Sequence, residues 1–105
     1  MGYTHYWTQK RFFEDDEWSH VRAAAWEVVD YCATRGIRLQ REYNNPARPR
    51  IDEYKILFNG PDEDGHETFC LKKEALGFNF CKTAEKPYDL AVCLMLLATA
   101  IYAPD

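Results

Sequence analysis

Hydrophobic positions change their period several times along the chain, and each change marks an element. From Tyr3 to Thr8 the side chains alternate, with Tyr3, His5 and Trp7 on one side and Thr4, Tyr6 and Thr8 on the other. That period of two predicts a first strand whose aromatic face includes a histidine. After the acidic run Glu14 to Trp18 the period becomes helical. Trp18, Val21, Ala25, Trp26, Val28, Val29, Cys32 and Ala33 share one broad face, opposite Ala23, Glu27 and Asp30. The helix is expected to end near Thr34, with negative charge at its start and Arg35 and Gly36 at its end.

Beyond Gly36, Ile37, Leu39 and Arg41 alternate with Arg38, Gln40 and Glu42 and predict a short strand near a sheet edge. Two prolines make Asn44 to Arg50 a loop. Tyr54, Ile56 and Phe58 mark one face of a strand, and a turn rich in Gly, Pro and acidic residues leads from it into ETFCLKK, so 54–72 reads as a hairpin. Phe78 and Phe80 alternate with Asn79 and Cys81 as in a half-buried strand. Next come a polar turn and thirteen residues, Leu90 to Tyr102, in which Thr99 is the one ordinary polar side chain. A helix apolar on every side is expected to be buried, and this one is too short for the ~20 residues of a membrane span. It is read either as the core of the domain or as a helix shared across the interface of a homo-oligomer. Asp89, just after Pro87, suits its N-cap.

The predicted order β-α-β-β-β-β-α implies an α+β fold: a two-layer sandwich with a mostly antiparallel sheet of four to five strands and two helices on one face. At 105 residues the chain is expected to form a single domain, 1–105. Three Trp, seven Tyr and six Phe exclude a disordered polypeptide. The net charge of −4 argues against nonspecific binding to duplex nucleic acid. MGYTHYWTQKRFF lacks the pattern of a secretory signal and no apolar run reaches membrane length, which places the expected site of action in the cytoplasm. Cys32, Cys70, Cys81 and Cys93 are spaced by 38, 11 and 12 residues with no C-x-x-C pair, so free thiols and no metal site are expected. Five arginines gather between Arg35 and Arg50 against the one carboxylate of Glu42; the run is read as solvated surface, or as a phosphate- or carboxylate-recognising patch.

Signatures of catalysis are missing: there is no G-x-x-x-x-G-K-[ST], no G-x-S-x-G, and no H-x-E with P-C-x-x-C. His5 with Glu67, or Lys82 with Tyr88, are the pairs that could act as acid and base in an enzyme of phosphorylated or nucleotide substrates. In a binding protein, Lys82 and Lys86 flank a turn leading to a helix N-terminus, where free amides favour an anion. Thr83 and Tyr88 add hydroxyls there, and His5 with Trp7 supplies an aromatic wall if the first strand lies beside the fifth. The expected ligand-binding set is therefore His5, Trp7, Lys82, Thr83, Lys86 and Tyr88, with no cofactor and no catalytic residue.

Four fragments, MGYTHYW, FNG at Phe58 to Gly60, HETF at His66 to Phe69 and FCKTAEKPYDLAV at Phe80 to Val92, carry a resemblance. Together they resemble a family of small, mostly uncharacterised bacteriophage and bacterial proteins that open with a GYTHYW-like strand and carry an FCKT…KPYD segment. The shared motifs hold Thr4, His5, Trp7, Asn59, Glu67, Thr68, Lys82, Thr83, Lys86, Tyr88 and Asp89, and relatives are expected to continue with a polar segment beyond the apolar helix. The resemblance implies a small binding or inhibitory protein that counteracts host defence. Its partner would be a small anionic, nucleotide-like ligand sequestered at the lysine turn, or a host protein occluded by the acidic surfaces at Glu14 to Glu17 and Asp62 to Asp64.

Overall fold

The computed structural model describes residues 4–103. Its elements are β1 (Thr4–Gln9), α1 (Asp15–Thr34), β2 (Arg50–Ile51), β3 (Lys55–Phe58), a single 3-10 turn (Asp62–Asp64), β4 (Phe69–Lys72), β5 (Gly77–Lys82) and α2 (Asp89–Tyr102). The class is α+β, as the hydrophobic pattern predicts, and every strand pair is antiparallel. Tyr3, expected to open the first strand, lies outside the described residues.

Two features differ from the expected single sheet. The strands form two sheets, β1–β5 and β2–β3–β4. A seam of side chains and isolated bonds joins them where a ladder would otherwise continue. Glu67 donates its N–H to the Lys82 carbonyl (3.1 Å), its Oε1 accepts the Lys82 N–H (2.8 Å), and Gln9 Nε2 donates to the Lys72 carbonyl (2.9 Å). Trp7 packs on Phe69 at 5.4 Å between ring centroids, and Phe69 on Phe58 at 4.8 Å, so aromatic packing crosses the same seam.

The strand expected over Ile37 to Glu42 is also absent. Gln40 makes an isolated bridge with Asn59, and the Arg41 N–H turns to the Ala47 carbonyl (2.8 Å) inside the loop. With the segment folded on itself, the edge position passes to Arg50–Ile51, which pairs with β3. Ile37 and Leu39 pack against the core from this irregular segment, which explains their strand-like alternation.

Helix α1 packs along α2 and with one face contributes Trp18, Val21, Ala25, Val28 and Cys32 to the core that also holds Ile56 and Phe58 of β3 and Phe69 and Leu71 of β4. Trp26, expected on that face, is instead exposed at its rim, with the Arg48 guanidinium 5.5 Å above its ring. At the start of α1, Glu17 accepts the Glu14 N–H (2.8 Å) and a two-pronged pair of bonds from Arg11 (2.7 and 2.8 Å). Those bonds, the Arg11 pair foremost, hold the Glu17 carboxyl at about 2. At the other end Gly36 takes φ 75° and the Ile37 N–H returns to the Cys32 carbonyl (2.8 Å), the glycine-terminated stop read from the sequence.

Within the chain, helix α2 is not enclosed on every side, which departs from the reading of it as a helix wholly inside the domain core. Ala91, Val92 and Met95 enter the core, but Leu97 and Ile101 are 58% and 64% exposed, on a groove shared with Val28 and Tyr31 of α1. Thr99 bonds back to the Met95 carbonyl (2.8 Å), which satisfies its hydroxyl within the helix. Among the described residues no helix is long and apolar enough to cross a membrane.

Candidate functional site

The β1–β5 ribbon and the start of α2 collect most of the residues singled out from the sequence. Register sets the first division. Thr4 opposes Lys82, Tyr6 opposes Phe80 and Thr8 opposes Phe78, so these six share the outer face of the ribbon. His5, Trp7, Gln9 and Cys81 share the inner face. The expected pair His5 and Trp7 thus stands on the inner face, and the exposed aromatic rings of the two strands stand on the outer one. Trp7 packs inward on Phe69, with its indole nitrogen buried and without a hydrogen-bond partner. Tyr6, Phe78 and Phe80, by contrast, stand 64%, 62% and 50% exposed. Their rings form a continuous row, Tyr6 stacked on Phe78 at 5.7 Å and Phe78 against Phe80 at 6.3 Å, and the Lys82 ammonium lies 6.0 Å from the Phe80 ring.

On the inner face His5 meets Asp89. His5 Nε2 lies 2.6 Å from Asp89 Oδ1, and the buried Thr83 donates its hydroxyl to the same oxygen at 2.5 Å. Cys93, one helical turn after Asp89 and on the same face of α2, places its sulfur 3.5 Å from Asp89 Oδ2 and 3.7 Å from His5 Nε2. Burial works to raise the Asp89 carboxyl, but the bonds from Thr83 and His5 outweigh it and hold the group below its usual range. Burial and the neighbouring Asp89 carboxylate both push the Cys93 thiol up. The arrangement is thus unlike an activated nucleophile. A single imidazole nitrogen faces both Asp89 and Cys93, where a nucleophile relay would use the two ring nitrogens separately.

Asp89 does not cap α2 as the sequence suggests. Tyr88 occupies the N-cap with helical backbone angles, and the Asp89 and Leu90 N–H groups are taken by the Lys86 (2.8 Å) and Pro87 (3.3 Å) carbonyls. The preceding turn closes through Lys86 N–H to the Thr83 carbonyl (3.0 Å), with Ala84 and Glu85 both left-handed at φ 53° and 57°. The carboxylate is thereby left for Thr83, His5 and Cys93.

Tyr88 is fully buried, and its hydroxyl donates to the Glu67 carbonyl at 2.6 Å with the Lys82 carbonyl at 3.2 Å. Burial, first among several causes, drives its phenol far above the ordinary value and also pushes the Cys81 thiol up to about 12. The acid–base pairs suggested by the sequence therefore part company. The carboxylate beside His5 is that of Asp89, while Glu67 accepts a backbone N–H. Tyr88 meets the carbonyl of Lys82, whose ammonium lies on the outer face. Of the expected ligand set, His5 and Thr83 are brought together, Lys82 faces outward, Lys86 is half-buried on the turn, and Trp7 and Tyr88 serve the interior.

The sequence reading gives Cys93 as a free thiol on an apolar helix and does not join it to His5 and Asp89. The available signal was its i, i+4 spacing from Asp89. Comparisons with protein-family models, curated proteins and solved structures return no match.

Proposed function

We propose that this is a small, non-enzymatic binding protein that takes a nucleotide-like anionic ligand on the outer face of the β1–β5 ribbon. The observation that carries the reading is the exposed row Tyr6–Phe78–Phe80 with Lys82 at its end. Aromatic rings stack with nucleobases whatever their sequence, and the ammonium complements a phosphate. Magnitudes favour a ligand with more than one base. Stacking contributes about 1–3 kcal/mol per base, whereas micromolar binding needs about 8 kcal/mol. A mononucleotide on one ring falls short, and a dinucleotide or short single strand spanning the row reaches further. Duplex nucleic acid is disfavoured by the net charge of −4.

The resemblance of GYTHYW and FCKT…KPYD to phage and bacterial proteins supports an inhibitory role in a host cytoplasm, by sequestering such a ligand. A second reading, occlusion of a host protein or self-association, is favoured by the exposed Leu97 and Ile101 on α2. Calorimetric titration with linear and cyclic dinucleotides separates the two. With two bases stacked and the ammonium on a phosphate, the wild type is expected to bind in a range from about millimolar to tens of micromolar, and Tyr6→Ala with Phe78→Ala to lose at least tenfold in affinity while keeping its melting temperature. If no dinucleotide binds, or the double variant binds as well as the wild type, the ribbon reading is wrong and the α2 surface takes its place.

A further inference from the structure

We propose that His5, Asp89 and Cys93 form a binding site for a borderline transition-metal ion of the zinc class, with one coordination position open to solvent. Nothing in this inference depends on the ligand of the outer ribbon face, since the two surfaces lie on opposite sides of β1. Three donor atoms of different kinds, His5 Nε2, an Asp89 carboxylate oxygen and Cys93 Sγ, lie within 4.8 Å of one another. They come from two separate elements, β1 and the first turns of α2, so the tertiary fold and not a local sequence motif brings them together.

The distances fit this class of ion. Zinc bonds of about 2.0–2.3 Å arranged tetrahedrally put neighbouring donor atoms roughly 3.3–3.7 Å apart. Cys93 Sγ lies 3.7 Å from His5 Nε2 and 3.5 Å from Asp89 Oδ2. Only the 2.6 Å contact of His5 Nε2 with Asp89 Oδ1 is too short, because it is a hydrogen bond. On metal entry the nitrogen lone pair turns to the ion, any proton on that nitrogen passes to solvent or to the other ring nitrogen, and the two atoms separate by under about 1 Å. The Cys93 thiol releases its proton to solvent as its sulfur bonds the ion. No change of oxidation state is involved.

Support around the donors is of the kind metal sites use. Thr83, itself fully buried, holds Asp89 Oδ1 at 2.5 Å and leaves Oδ2 toward Cys93. His5 and Asp89 are largely enclosed, while Cys93 sits at the mouth, so a water or an exogenous ligand can reach the fourth position. A nitrogen, an oxygen and a sulfur together favour zinc or cobalt over magnesium or calcium, which take oxygen donors. The expectation of no metal site rested on the lack of closely spaced cysteines. It does not reach a site whose ligands stand at positions 5, 89 and 93.

The test uses chelator-stripped full-length protein with zinc or cobalt ion alone. Native mass spectrometry is expected to show one zinc per chain. Cobalt is expected to give thiolate charge-transfer absorption together with intense tetrahedral visible bands. Cys93→Ser, nearly isosteric at an exposed position, should remove the charge-transfer band while the protein keeps its circular dichroism. His5→Gln should weaken zinc at least tenfold, and Thr83→Val by about 10–100-fold. The proposal is overturned if no one-to-one complex forms, or if the cobalt spectrum survives Cys93→Ser and disappears in Cys70→Ser.

Discussion

The loop from Gly60 to Thr68 and the turn from Thr83 to Asp89 meet at the hydroxyl of Tyr88, yet they are built on opposite terms. In the first, the buried Asn59 side chain accepts the N–H groups of Gly60 (2.8 Å) and His66 (3.0 Å) and donates to the His66 carbonyl (3.0 Å) and Thr68 hydroxyl (3.1 Å). Gly60 and Gly65 let the two limbs close to where no Cβ fits. The first also holds one left-handed residue, Asp62 at φ 47°, a type whose short polar side chain tolerates that backbone, whereas the second contains no glycine and sets Ala84 and Glu85 consecutively in it. Its Thr83 hydroxyl turns inward to the Asp89 carboxylate, where His5 and Cys93 also meet. A loop whose residues suit its shape serves the fold, whereas a turn held in unfavourable backbone geometry is kept by its surroundings and sits where other chemistry is arranged.

Three substitutions break or sharpen that contrast. Gly60→Ala has the largest expected effect: the new Cβ would lie 2.1 Å from the Asp64 carbonyl oxygen, which is backbone and has no room to yield. We expect a loss of about 3 kcal/mol or more, read as a sharp fall in the denaturant midpoint or as insoluble protein. An unchanged midpoint would mean that the loop is not closed as described. Tyr88→Phe comes next, since it leaves the Glu67 carbonyl with only the weak Cys81 thiol donor at 3.5 Å and unfastens the loop from the turn. The expected loss is about 1–3 kcal/mol, with a melting temperature lower by about 4–8 °C for each kcal/mol. Glu85→Gly should have the smallest effect and the opposite sign. Its side chain is exposed, so relief of the left-handed backbone dominates and raises stability by up to about 1 kcal/mol. If Glu85→Gly destabilises instead, the turn does not hold the strain assigned to it.

The same contrast explains what could be read from the chain. NGPDEDGH announces its loop through Gly, Pro and Asp, and the FNG and HETF fragments turn out to be the two limbs that Asn59 ties together. Both helices and the strands after Tyr54 follow from their periods. KTAEKP, however, carries no Asn-Gly signal, so its left-handed pair is invisible in sequence. Alternation in β5 marks a strand but not which side faces inward. Tyr6, Phe78 and Phe80 are apolar and nonetheless lie outside, because Cys81, Trp7 and His5 fill the interior side. Asp89 was legible as a residue of consequence, while Cys93 was legible as a free thiol but not as its neighbour.

Pairing of β1 with β5 also bears on how the molecule comes into being. The first strand of the described chain has as its ladder partner the last, and residues 10–76, with α1 and the other strands, intervene. Loop closure over that span must precede the reward of the pairing, so the ribbon is expected to form late in folding. While the chain grows on the ribosome, Tyr6 and Trp7 emerge long before Phe80 and must wait with unpaired amides and bare rings. Until β5 follows, the unpaired edge of β1 is expected to be open to pairing with a neighbouring nascent chain in the same polysome.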